Sequence, residues 1–208
     1  DYHIDNQWYA GTCTNHAIIH GGEIALKKVL GYQPRLAKLF SYFWRTNPTV
    51  GSNPWEIADI SFNKKGMLPF NECPTPERVT DAQVEELQKN RELYKPKTII
   101  DGYEVKYFAV DKNPDSIATV LSQGDPVQIS IYGTTVEWAK VFVDVLNKFL
   151  VLFGAAIRHS ILAIPLGDHT DEDDTQRITI IDSAWFGGYK VRHLSKEFLI
   201  DRIYIQPI

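Results

Sequence analysis

Gln7-Trp8-Tyr9-Ala10-Gly11-Thr12-Cys13 puts a glutamine amide shortly before a cysteine, and that cysteine opens a run to Leu30 with apolar residues at helical spacing: Ala17, Ile18, Ile24, Ala25, Val29 and Leu30. Lys27 and Lys28 near its end and Gly31 beyond it are stop signals. The spacing predicts a buried helix with Cys13 in its first turn. A thiol there lies among unpaired N–H groups at the positive end of the helix dipole, and both favour the thiolate. Gly11, two residues earlier, permits the tight approach that exposes the sulfur. Gly21-Gly22 inside the helix costs roughly 1 kcal/mol per glycine relative to Ala, so a second backbone is expected to pack closely there.

Two later fragments supply what a thiolate needs. Arg158-His159-Ser160 lies in a strand-like run, and Asp182-Ser183-Ala184-Trp185 follows the next one. Cysteine, histidine and a carboxylate in that chain order make the set required for thiolate attack on an acyl group. His159 would carry the proton, and Asp182 would accept the other ring N–H and so set tautomer and orientation. The Gln7 side-chain amide and the Cys13 backbone N–H are two donors suited to an oxyanion hole. Taken singly, each residue has a blander reading: Cys13 as a buried structural thiol, His159 as a satisfied core histidine, Asp182 as a turn cap. Their joint occurrence outweighs those readings.

Composition narrows the classes. At 208 residues and 44% hydrophobic, the chain can bury an ordinary core as one domain, without a disulfide framework. A net charge of -4 leaves no clustered Lys/Arg surface for phosphates, so no nucleic-acid partner is expected. The longest apolar run, Phe149 to Ile157, falls far short of the roughly 20 residues a membrane-spanning helix needs, and the chain reads as soluble with no membrane partner. No secretory signal is recognisable, and the absence of an initial Met points to a processed or trimmed chain. A nucleophilic Cys13 leaves Cys73 unpaired, which favours an intracellular or otherwise reducing setting. Nothing in the chain specifies an oligomeric state.

The pattern predicts further helices from Pro34 through Leu36, Leu39, Phe40, Phe43 and Trp44, from Asn53-Pro54 to Gly66, and from Asp81 to Leu93. Thr98 to Val110 and Val127 to Tyr132 read as strands flanking a short helix, Pro114 to Ser122. Val136 to Leu152 is helical in pattern. Ile157 to Ile164, Arg177 to Ser183 and Gly188 to Arg192 read as strands, with Asp168 to Asp174 as a solvated hairpin loop. The fold class is therefore α+β, helical first and strand-rich second.

These blocks resemble the papain-like cysteine peptidases, the family of papain, cathepsins and bleomycin hydrolases, over nearly the whole chain. Gln7 and Cys13, with Gly11 between them, match the family's Q-x5-C block. Gly51-Ser52-Asn53-Pro54-Trp55 and Lys65-Gly66-Met67-Leu68-Pro69 resemble its Gly-Gly substrate edge and the turn after the following helix. Gly124-Asp125-Pro126-Val127 resembles the approach to the histidine strand, His159-Ser160 that strand itself, and Asp182-Ser183 through Tyr189-Lys190-Val191 the block carrying the third residue. The resemblance implies a two-lobe fold: a helical left lobe over about 8–95, a β-barrel-like right lobe over about 96–208, and the active site in the cleft between them. It implies a peptide or protein substrate, hydrogen-bonded by Gly51 and Ser52, with Trp185 on the substrate side as the indole that shields the histidine pair. It calls for no cofactor and no metal.

The chain departs from the family at several points. Thr14 stands where an aromatic usually follows the nucleophile, Asp182 where Asn is usual, and Ala184 separates Ser183 from Trp185. The half-cystines of secreted members are missing, and segment lengths suggest an insertion around Val136 to Leu152. A carboxylate orients an imidazole as well as an amide does, and its charge raises the imidazole pKa. The displaced Trp185 implies a bulge or a different shield. Cys13, His16 and His20 also share one helix face at metal-ligand spacing, but a fourth ligand is missing and a buried helix explains the spacing. The acidic run Asp171 to Asp174 lacks EF-hand spacing and reads as solvated. Two rival functions use the same residues: a catalytically silent papain-like binding or assembly module, and a transglutaminase-like acyl-transfer enzyme.

Overall fold

The computed structural model describes residues 4–5, 7, 11–45, 51–73, 80–94, 105–140, 142–144, 156–165, 169–170, 176–184 and 188–204. The chain divides into two compact units, the first reaching Phe108 and the second beginning at Ala109.

In the first unit, helix α1 spans Cys13–Leu30 and ends as its sequence predicts: Gly31 adopts a left-handed φ of 76°, and its N–H returns to Lys27 O at 3.0 Å. Its apolar face, with Ile19 and Leu26, packs on Leu36 and Met67. A methyl group added to Gly22 would sit 3.3 Å from Phe62 Cε1 and 3.4 Å from Met67 Sδ. The close neighbours of that glycine are therefore side chains, not the second backbone expected.

The helix expected from Pro34 does not form over its first part. Leu36 bridges Pro69, the Ala37 N–H bonds to Leu68 O at 2.9 Å, and the Phe70 N–H bonds to Arg35 O at 2.9 Å. That pairing takes the Ala37 N–H, the first donor a helix starting at Pro34 would use internally, while the buried Glu23 carboxylate of α1 accepts the Leu36 N–H at 2.7 Å and anchors the extended segment. Only a 3-10 turn, Ser41–Trp44, follows. Around it Leu39, Phe40, Tyr42 and Phe43 pack with Ile57, Leu68, Cys73 and Val84.

Helix α2, Pro54–Ala58, starts with the Asn53 side chain accepting the Trp55 N–H and Pro54 in its first turn. It widens into a π-helical turn, Asp59–Lys64, closed by Lys65 N–H to Ile60 O at 2.8 Å. Helix α3, Asp81–Lys89, carries a reciprocal capping box between Thr80 and Gln83. The expected strand Thr98 to Val110 lies outside the described residues up to 104, and 105–110 forms none.

The second unit is built on a sheet. Helix α4, Pro114–Ser122, is capped by the Asn113 side chain and leads to β1, Val127–Thr134. The other strands are β2 (Phe142–Val143), β3 (Ala156–Ala163), β4 (His169–Thr170), β5 (Gln176–Ile181) and β6 (Val191–Ser195), and the order is β1-β3-β5-β6-β2 with β4 paired to β5. Strand β1 runs antiparallel to β3 with Ile131 opposite His159, and β5 runs antiparallel to β6 with Ile180 opposite Arg192. Ile129, Ile131, Ile161, Ile178, Ile180 and Leu194 form its apolar core with Trp138 and with Phe198 and Leu199 of helix α5, Lys196–Arg202. Sequence reading did not anticipate α5, whose cap is Ser195 Oγ accepting the Phe198 N–H.

Val136 to Leu152 is not the single helix expected. The Glu137 carboxylate accepts the Thr134 N–H at 2.9 Å and closes one 3-10 turn, Glu137–Ala139. The chain then extends, because Val143 is drawn into the core as β2 pairs in parallel with His193 and Leu194. Residues 145–152 lie outside the described set. The strand expected at Gly188 to Arg192 begins later, at Val191, after Gly188 turns the chain with a φ of 82°. Of the acidic hairpin loop, His169 and Thr170 pair with Arg177 and Gln176, while 171–175 lies outside the described residues.

Candidate active site

The first unit carries Cys13, Gln7, Gly51 and Ser52. Cys13 is the first residue of α1 and is partly exposed. Thr12 at the cap position makes no side-chain capping hydrogen bond among the described residues, and the first turn holds no acidic residue. Among the described residues, neither a Thr12 cap nor a first-turn carboxylate therefore competes with a negative charge on sulfur for the N-terminal amides. Tyr42 donates its hydroxyl to Gly11 O at 2.8 Å, the His16 N–H bonds to Thr12 O at 3.0 Å, and Ser41 donates to Asn15 Oδ1 at 2.7 Å. These bonds pin the turn that presents the thiol.

Thr14 donates its hydroxyl to Ser52 O at 3.1 Å, so the residue that replaces the usual aromatic ties the Gly51-Ser52 segment to α1. Arg45 donates to Gly51 O at 3.2 Å and pairs with Glu56 at 2.9 Å. Gly51 is exposed, while Ser52 and Gln7 are buried. Both cysteines are free thiols. Cys73 is buried, and burial pushes its thiol up to about 12, the opposite of an activated nucleophile.

Behind Cys13, α1 buries a polar cluster. Burial pushes His16 down to about 3, so its neutral ring donates Nδ1–H to Thr12 O at 3.0 Å. His20, also lowered by burial, donates Nδ1–H to Glu23 at 2.9 Å. Burial works against an ionised Glu23, but the His20 hydrogen bond and the Lys38 ammonium outweigh it and hold the carboxyl at about 2. Lys38 also reaches Asp5 at 3.4 Å. His16 and His20 are thus built into the core beside a partly exposed Cys13, and no cluster of three metal-ligating side chains occurs among the described residues. No helix among them is long and apolar enough to cross a membrane.

The second unit brings His159 and Asp182 together. His159 stands in mid β3, and Asp182 follows β5 with its N–H bonded to Lys190 O at 2.8 Å. His159 Nε2 lies 2.8 Å from Asp182 Oδ1, which also accepts the Ala184 N–H at 2.8 Å. Trp138 Nε1–H and Arg192 Nε–H both donate to Oδ2 at 2.8 Å. Burial favours protonated Asp182, yet His159 and Arg192 outweigh it and hold the carboxyl at about 2. An ionised acceptor at Nε2 means that Nε2 carries a proton and that Nδ1 is the nitrogen able to exchange one.

Trp138, 1% exposed, sets its ring edge-on to His159 with centroids 5.9 Å apart at 83°. A shield therefore reaches the His–Asp pair from 44 residues upstream of Asp182, and Trp185 lies outside the described residues. Sequence reading missed Trp138, which falls inside the segment read as helix, and Arg192, read as the end of a strand. Arg192 left a usable signal: it shares the inward register of β6 with Leu194, where a cation needs a buried partner.

No protein-family model matches this sequence, and no curated protein is detectably similar to it. Solved structures are. The bromelain protease from Ananas comosus in complex with the E64 inhibitor aligns over 93% of this chain and 84% of its own, at 15% identity and a TM-score of 0.64. A Carica candamarcensis cysteine protease, also in complex with E-64, covers 96% and 90% at 16% identity and 0.62. Digestive procathepsin L 3 of Tenebrio molitor larval midgut covers 97% and 65% at 13% identity and 0.62. The chain has the papain-like cysteine protease fold, mixed helix and sheet in two units.

Proposed function

We propose that the protein is a cysteine peptidase in which Cys13 attacks the carbonyl carbon of a peptide bond. The observation that carries this reading is the His159–Asp182 pair, an imidazole bonded at 2.8 Å to a carboxylate held ionised, on a fold whose solved neighbours are cysteine proteases. Sulfur forms the new bond, and the carbonyl electrons move onto oxygen, where the Gln7 amide and the Cys13 backbone N–H receive them. His159, protonated, gives its Nδ1 proton to the amine as the C–N bond breaks. It then takes a proton from water, which attacks the thioester and releases the acid and the thiolate. Gly51 and Ser52 line the extended substrate, held by Arg45 and Thr14.

Hydrolysis of an unfolded protein and of a peptide library, run with wild type and Cys13→Ala and with an E-64-type epoxide, tests the reading. Cleavage lost in the variant and blocked by the epoxide is the expected result. No cleavage by a folded wild type overturns it in favour of a silent binding module. Amine incorporation without hydrolysis overturns it in favour of acyl transfer.

A further inference from the structure

The carboxylate behind His159 is not alone. Arg192 is fully buried, and its guanidinium donates Nε–H to Asp182 Oδ2 at 2.8 Å and Nη1–H to Lys140 O at 2.6 Å. Its Cζ lies 5.0 Å from the Trp138 ring centroid and 5.4 Å from that of Tyr189. Such a forked, stacked arrangement suits Arg and not Lys. Among the described residues of this unit, the other charged groups near this corner are engaged or turned outward. Glu137, on the turn bearing Trp138, accepts from Thr134 and pairs with Arg202 at 2.8 Å. Arg158, Lys140 and Lys190 are exposed.

We infer that His159 is served by an Asp182–Arg192 ion pair acting as one unit, and that Arg192 is a positioning residue that cancels the charge of the carboxylate while leaving its hydrogen bond to the imidazole intact. This rests on the proposed function for its catalytic meaning. A bare buried carboxylate would hold the imidazolium too firmly, which weakens it as the acid toward the leaving amine and starves the later step of neutral base. The ion pair presents His159 with what a neutral amide presents, an acceptor without net charge, and adds a charge-assisted hydrogen bond.

The titration of the His159 ring, followed by NMR in isotope-labelled protein and assigned with His159→Gln, tests this in wild type, Arg192→Met, Asp182→Asn and the double variant. Arg192→Met is expected to raise the midpoint by about one pH unit, a tenfold gain in proton affinity. Asp182→Asn, which leaves the cation unbalanced, is expected to lower it, and the double variant to return toward wild type. Should Arg192→Met fail to fold, the comparison of Asp182→Asn with the double variant decides, since removal of the guanidinium must then raise the midpoint. An unmoved midpoint on loss of Arg192, in either background, overturns the inference. The titration needs no turnover, so peptidase assays on the same samples judge the functional reading separately. With an active wild type, the acidic limb of kcat should follow the His159 midpoint across the series.

Discussion

The indole of Trp138 and the carboxylate of Asp182 are joined by a hydrogen bond of 2.8 Å, although 44 residues separate them. The same ring packs edge-on against His159, so one side chain both feeds the carboxylate and covers the bond between carboxylate and imidazole. Covering matters because a water-excluded hydrogen bond is electrostatically stronger than a wet one.

Trp138→Phe keeps much of the cover and deletes the donor. Loss of a hydrogen bond to a charged, buried acceptor should cost about 1.5–3 kcal/mol in chemical denaturation. Trp138→Ala removes the cover as well and should cost about 3–5 kcal/mol. A Phe variant as stable as wild type would show that the indole N–H contributes nothing.

The two thiols should differ sharply in reactivity. Cys13 is partly exposed at a helix start, whereas Cys73 is buried with its thiol pushed up to about 12. Iodoacetamide at neutral pH, read by peptide mass spectrometry, should label Cys13 well before Cys73. Under the proposed function Cys13→Ala should abolish turnover, and it should shift unfolding free energy by less than about 0.5 kcal/mol, as expected for a position outside the packed core.

Acid should destabilise the fold through its buried histidines. His16 is held at about 3 against an ordinary 6.5, so below 6.5 the unfolded chain binds a proton that the native one refuses. Its contribution is therefore complete above pH 6.5 and is lost as pH falls toward 3, at up to about 1.4 kcal/mol per pH unit. His20 shifts in the same direction. Glu23 and Asp182, both held at about 2, add a second loss at lower pH, from the ordinary carboxylate range down. Urea midpoints measured from pH 8 to pH 4 should be flat at first and then fall, and His16→Gln should flatten the fall.

Lys38 and Glu23 form a buried ion pair inside the first unit. Lys38→Met leaves the carboxylate with only its neutral partners and should cost about 3–5 kcal/mol. Glu23→Gln combined with Lys38→Met should cost less than the single Lys change, because Glu23 then leaves no unbalanced charge and Asp5 keeps its Arg35 partner at 2.9 Å. Equal costs would mean that the pair contributes packing alone.

Local signals were legible wherever the chain satisfies its own backbone. Helix α1 runs from Cys13 to Leu30 and α4 from Pro114 to Ser122, as spacing and caps predict, because periodicity, Gly31 and Asn113-Pro114 act within a few residues. Strands β1, β3 and β5 appear within a few residues of their expected bounds. The reading failed where a distant group claims the backbone. Leu68 O takes the Ala37 N–H and so denies a helix its first closing bond, and pairing with β6 pulls Phe142 and Val143 into a strand.

The sequence by itself determined the residue types: a cysteine at a helix start, a histidine in a strand, and an aspartate at the end of the next, in one chain order. That information is local, since helix ends and strand patterns are encoded by near neighbours. Only the tertiary structure decided what surrounds Asp182. Trp138 and Arg192 reach its Oδ2 from a turn and from an adjacent strand, and such meetings are set by sheet register and by the need to pair every buried charge, neither of which leaves a mark at fixed spacing along the chain.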